Sequence, residues 1–135
     1  MKKLLLVGLV AGVLFLITNL VFSFHDFEEV PIQLEVSAYD YANEEFKEAF
    51  LIDNQEEIEE FIHLLNKANH ENGSYEVSRQ PDYSIVMVYN NGSIDTLRLW
   101  LDFGESVDLF NTDKTSGHYR LKNDGAREAI REILE

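Results

Sequence analysis

The hydrophobic pattern of this chain changes period several times, and each change predicts an element. Leu4 to Phe24 is almost continuously apolar, with Thr18, Asn19 and Ser23 as its polar side chains and no charge. From Pro31 to Tyr39 the pattern alternates. Ile32, Leu34, Val36 and Ala38 fall on one face and Gln33, Glu35, Ser37 and Tyr39 on the other, the period of a half-buried strand. Phe46 to Ile52 reads as a second strand running into a helix start. Asp53 or Asn54 can cap that helix, and Glu56 and Glu57 complement its dipole. Ile58, Phe61, Ile62 and Leu65 then recur at helical spacing, which predicts a helix to about Asn69 with a single apolar stripe.

Past the loop Asn72-Gly73-Ser74 the alternation returns. Tyr83 to Asn90 and Ser93 to Phe103 flank Asn91-Gly92, the preferred pair for a two-residue type I′ hairpin turn. That turn would set Val86 opposite Leu97, Ser84 opposite Leu99 and Val88 opposite Asp95. Tyr83, Ile85, Met87 and Tyr89 would then share the second face with Ile94, Thr96, Arg98 and Trp100. Two more strands are expected at Ser106–Asn111 and His118–Leu121, joined by a turn over Asp113 to Gly117. A last helix, capped by Asn123 or Asp124, repeats Ala126, Ala129, Ile130, Ile133 and Leu134 at helical spacing. The order β-β-α-β-β-β-β-α predicts an α+β domain, an antiparallel sheet with two amphipathic helices packed on one face.

The apolar start changes the picture of where this domain works. Leu4 to Phe24 is long enough to cross a hydrocarbon core of about 30 Å. Lys2 and Lys3 precede it, so the positive-inside rule sends the rest of the chain out of the cytoplasm. The rival reading is a signal peptide cut before Phe24, with Val21 and Ser23 at the small-residue positions. Either way residues 1–24 are the anchor or signal, 25–30 a short linker, and 31–135 an extracytoplasmic domain. The expected location is the cell membrane, single-pass with the C-terminal domain outside, or secreted if the leader is removed.

Charge narrows the partners. All 25 acidic residues lie beyond the leader, whereas Lys2 and Lys3 are two of only 11 basic ones. Nucleic acid and anionic headgroups would be repelled by such a surface. With no cysteine, disulfides, thiolate metal sites, a cysteine nucleophile and lipid attachment at a leader cysteine are all excluded.

A family resemblance rests on Pro81-Asp82-Tyr83, Tyr89 with the Asn91-Gly92 turn, Leu99-Trp100-Leu101, Thr112-Asp113-Lys114-Thr115, Tyr119 and the apolar C-terminal helix. Over roughly Asp53 to Leu134 the chain resembles the YhfM-like group of small exported Firmicutes proteins, whose members are mostly uncharacterised. The resemblance implies an exported domain and no catalytic residues. Members are often anchored through a leader cysteine, which this chain lacks.

Candidate chemistry is sparse. Glu60 and His63 have the E-x-x-H spacing of bundle-type di-metal sites, but a second copy is missing and His63 lies off the apolar stripe. Asp102, Glu105, Asp108, Asp113 and Asp124 gather acids in the C-terminal half without a calcium-loop motif. Ser84, Ser93, Ser106, Ser116, His70 and His118 sit in no nucleophile motif, and His118 reads as a strand histidine at the sheet surface. The best candidate surface is the hairpin face with Tyr83, Tyr89, Arg98 and Trp100, because interface energy is often carried by Trp, Tyr and Arg. The alternative for these aromatics is cross-strand packing. The expectation is a non-catalytic domain without cofactor or metal that binds an envelope protein or cell-wall component through that face. The alternative is a calcium-responsive module using the acidic turns.

Overall fold

Asn54 accepts a hydrogen bond from the Glu57 amide at 3.1 Å and Asn123 one from the Ala126 amide at 2.9 Å, so both helices begin at an asparagine cap. In the computed structural model, which describes residues 27–73 and 77–135, they are α1 (Gln55–Leu65) and α2 (Asp124–Leu134). The strands are β1 (Gln33–Asp40), β2 (Glu45–Phe46), β3 (Phe50–Ile52), β4 (Asn69–Glu71), β5 (Tyr83–Val88), β6 (Ile94–Trp100), β7 (Asp108–Thr112) and β8 (His118–Leu121). They form one antiparallel sheet in the order β2-β1-β5-β6-β7-β8-β4, with β3 also paired to β1. The domain is therefore α+β, as the pattern predicts. The apolar leader, with its transmembrane and signal readings, lies outside the described residues. Among the described residues no helix is long and apolar enough to cross a membrane.

The central hairpin departs from the expected register by one residue. The Tyr89 amide donates to the Ser93 carbonyl at 2.9 Å and the Gly92 amide to the Tyr89 carbonyl at 3.0 Å. The loop is thus Asn90-Asn91-Gly92, a tight turn followed by a glycine at φ +83°, rather than the two-residue turn. Val86 faces Thr96 and Ile85 faces Leu97. Because side chains alternate, this single slip moves every residue of one strand to the other face. Ile85, Met87 and Tyr89 join Leu97 and Leu99 inside, while Val86 and Val88 lie with Arg98 outside.

Two further differences concern the edges. The stretch expected as one strand at Phe46–Ile52 is broken. Tyr39 pairs with Phe46 but Val36 with Phe50, so the return strand carries one extra residue, a bulge beside Lys47. Bulges and a lysine are common ways to blunt an exposed edge. At the other edge, α1 stops at Leu65 and Asn69–Glu71 pairs with β8 as a short polar strand. Gly117 allows that approach, since a Cβ there would lie 2.2 Å from the Glu71 carbonyl oxygen and φ is +80°.

The core lies between the helices and one sheet face. Ile58, Phe61 and Leu65 of α1 and Ile130 and Leu134 of α2 bury themselves against Leu34, Val36, Ile85, Leu97, Leu99 and Phe110. Phe27 belongs to this core. Its ring lies 5.9 Å from that of Phe110 and 5.2 Å from that of Tyr119. Asn66 holds its backbone at both ends, accepting from the Phe27 amide at 3.1 Å and donating to its carbonyl at 3.0 Å. Pro31 is buried as well. Of the stretch expected as a linker, Phe27 is seated in the core, while Glu28, Glu29 and Val30 are exposed.

Candidate functional site

The four residues expected to form one aromatic surface are divided by the sheet. Tyr83 and Tyr89 lie on the helix-covered face. Tyr89 is 8% exposed, and its hydroxyl pKa is pushed up to about 12 by burial first, then by Asp95 and Glu29. The Lys114 ammonium lies 4.7 Å above its ring. Tyr83 is half-buried, and burial raises its pKa too. Arg98 and Trp100 point to the opposite face. Trp100 is 5% exposed there, because the Arg79–Pro81 stretch reaches over it and the Arg79 carbonyl accepts the indole N–H at 2.9 Å. Arg98 is more open and pairs with Asp113 at 2.9 Å. A shared Tyr83–Tyr89–Arg98–Trp100 patch does not exist, because the hairpin register places two of them on each side.

The face opposite the helices is nevertheless a continuous surface. The pairing Glu35–Val86–Thr96 forms one row across three strands, and Gln33–Val88–Ile94 forms the next. Glu35, Val86, Val88 and Thr96 are partly exposed and Ile94 more so. Arg98 stands beside these rows, its guanidinium also 3.5 Å from the Asn111 side chain. This arrangement offers a mixed apolar and cationic surface, the usual solvated side of an antiparallel sheet with helices on one face.

Two carboxylate networks lie nearby, one at the margin of this face and one on the helix-covered side. Asp82 accepts from the Leu101 amide at 2.7 Å and from Arg79 at 3.0 Å, and from the Tyr41 hydroxyl at 3.2 Å. Arg79 also donates to the Leu101 carbonyl at 2.6 Å. Burial acts to lower the Arg79 pKa, but hydrogen bonds to Tyr41 and Asp82 outweigh it and the value rises. The second network sits under α2. Asp108, with no exposure, accepts from Arg131 at 2.7 Å and 3.1 Å and from the Asp102 amide at 2.9 Å, and lies 3.3 Å from Arg127. Asp102 bridges the same two arginines at 2.7 Å and 3.2 Å. The bond to Asp108 is the main reason the Arg131 pKa is raised.

Four of the five acids expected to bridge calcium contact arginines, and the fifth, Glu105, is exposed. Asp102, Asp108 and Asp124 contact Arg127, and Asp113 holds Arg98. Among the described residues no three His, Asp or Glu side chains are grouped to hold a metal ion. Glu60 and His63 are exposed on α1. His118 differs from expectation, being 5% exposed rather than at the surface. One ring nitrogen meets the Gly73 carbonyl and the other lies 3.1 Å from Glu71. Sequence reasoning misses both carboxylate networks. A signal exists for the second, since Asp108 is a lone acid in the apolar run Val107–Phe110, and Arg127 and Arg131 stand one helical turn apart.

The sequence pattern of the YhfM protein family matches residues 33–135. The chain belongs to the YhfM protein family. No curated protein and no solved structure matches it significantly. The family match takes in β1, which the resemblance over Asp53 to Leu134 leaves out. The residues that carry that resemblance hold this YhfM domain together. Asp82 fastens Leu101, and Gly92 makes the hairpin loop. In the Thr112–Thr115 turn, Thr112 accepts the Thr115 amide at 3.2 Å, and the buried Asp95 accepts the Asp113 and Lys114 amides at 3.0 Å and 3.2 Å. Tyr119 stacks on Phe110 with ring centroids 4.8 Å apart.

Proposed function

We propose that this YhfM protein is a non-catalytic domain, held at the membrane by its apolar leader or released from it, that binds a protein or cell-envelope component outside the cytoplasm. The observation that supports it is the part of the sheet face opposite the helices that lies beyond the covered Trp100 and Leu109. Both helices pack on the other side, and this side presents Val86 and Val88 in the rows beyond Arg98, whose guanidinium reaches toward Asp113. Apolar side chains ringed by polar ones, with an arginine among them, are the composition of a recognition surface. The strong acidity of the chain favours a partner whose contact surface is neutral or basic.

The test is capture of envelope partners by the folded full chain carrying Val86→Lys or Arg98→Glu. Both positions are half-exposed, so the variants should keep the wild-type melting profile while losing the partner. Unchanged capture by two folded variants would remove this face as the site. Trp100→Ala is unsuitable for this purpose, because a buried indole is part of the fold.

A further inference from the structure

The way Phe27 is held has a consequence for how the domain stands at a membrane. Phe27 is seated in the core and its backbone is held by Asn66 at both its amide and its carbonyl. Only His25 and Asp26 separate it from Phe24, the last residue of the apolar stretch. Two extended residues span about 7 Å. A tether of that length keeps the tethered end of a domain close to a bilayer, and what that end exposes then decides how the domain stands.

Resting on the membrane-anchored reading above, we propose that the domain lies directly on the lipid surface with one defined end against it. That end is built from the Phe27–Ile32 segment, the β5–β6 turn and the β7–β8 turn. Glu29 and Val30 line a shallow depression with Tyr89, Asn90 and Asn91, which places the segment at the β5–β6 turn. Lys114, from the β7–β8 turn, lies over Tyr89 at the same end. The Ile32 amide donates to the Val88 carbonyl at 2.8 Å, and Val88 pairs with Ile94. Val30, Ile32 and Ile94 are 37%, 48% and 58% exposed, so three large apolar side chains stand open at this end. Apolar side chains of this kind settle into the boundary between headgroups and acyl chains. Glu28, Glu29 and Asp113 outnumber Lys114 at this end, so the surface it suits is zwitterionic, and anionic lipid would weaken the contact. The β1–β2 turn and the β6–β7 loop lie at the far end of the strands. The eight residues of β1 put that end about 25 Å away.

The absence of cysteine makes the test direct, because any introduced cysteine is a unique labelling point. The full chain is placed in phosphatidylcholine vesicles as Val30→Cys, Asn90→Cys, Ala42→Cys or Glu105→Cys. Each carries an environment-sensitive fluorophore, and the quencher is a lipid with a nitroxide on its headgroup. The expected result is quenching several-fold stronger at positions 30 and 90 than at 42 and 105. Equal quenching at all four, or stronger quenching at 42 and 105, in chains that float with the vesicles overturns the fixed orientation and leaves the anchor standing. Chains that do not float with the vesicles overturn both the orientation and the anchoring it rests on.

Discussion

The two faces of this sheet are made from alternate residues of the same strands, yet they treat similar groups in opposite ways. On the helix-covered face a carboxylate, Asp108, is sealed from solvent and held by two arginines, and a tyrosine, Tyr89, is buried. On the other face the Arg98–Asp113 pair stays 38% and 57% exposed. The chemistry of a side chain here is decided less by its type than by the parity of its position. An ion pair is an internal strut on one side and a solvated, displaceable contact on the other. That is why a binding surface can be sought on the uncovered face without disturbing the fold.

The contrast is broken most severely at Asp108. Replacing it by alanine takes away both bonds of the Arg131 guanidinium to Asp108 and leaves it, among carboxylates, only the longer contact to the exposed Asp102, and it leaves the Asp102 amide without its acceptor. Removing one member of a buried pair costs about 3–5 kcal/mol. Chemical denaturation of Asp108→Ala should show a loss of that order. The double variant Asp108→Leu with Arg131→Leu should recover part of it, since the cost lies in the abandoned charge. A loss below about 1 kcal/mol, the value of a surface pair, would mean the two faces do not differ as described.

Asp82 is an intermediate case, at the margin of the uncovered face. Its side chain is 21% exposed and that of Arg79 37%. Asp82→Ala strands the Leu101 amide and loosens the stretch that covers Trp100. An unsatisfied buried donor costs about 1–3 kcal/mol. Trp100 is the sole tryptophan, so its fluorescence reports the event directly. The expected outcome is a red shift of emission in the folded variant with a moderate drop in stability. Unshifted emission would show that something other than this network covers the indole.

Ionisation of Tyr89 gives a smaller effect, confined to alkaline solution. Burial raises its folded pKa from 10.0 to about 12, so the folded protein keeps a proton that the unfolded chain gives up. Stability from this source is complete below pH 10 and is lost as the pH rises toward about 12. Urea denaturation at stepped alkaline pH should show that decline, and Tyr89→Phe should flatten part of it. Identical profiles for the two proteins would place Tyr89 in contact with solvent, on the wrong side of the comparison.

Much of the fold is legible because periodicity dictates it. The stripe Ile58–Phe61–Ile62–Leu65 and the alternation of Gln33–Tyr39 each point one way, and each cap is narrowed to an adjacent Asp and Asn, of which the structure uses the asparagine. The hairpin register is not, because Asn91-Gly92 suits a two-residue loop as well as the end of a three-residue one. The choice is made by what each register buries. The observed one places Leu97 and Leu99 beside Ile85, whereas the alternative would set Leu97 and Leu99 opposite Val86 and Ser84. The candidate site falls with that register, since Tyr89 and Arg98 share a face only in the alternative. β4 is invisible for another reason. Asn69-His70-Glu71 has no apolar alternation, and its strand conformation comes from pairing with β8.

The mildest substitution bears most directly on function. Arg98→Ala removes an exposed pair with Asp113 and a long contact to Asn111, and exposed pairs contribute about 0–1 kcal/mol. Its melting curve should nearly overlay the wild type, and the difference should vanish in high salt, where surface charges are screened. A salt-insensitive loss larger than about 1 kcal/mol would instead make Arg98 a strut like Arg131. The uncovered face would then lose Arg98 as a group available to a partner, and any loss of capture by Arg98→Glu would have to be read as damage to the fold.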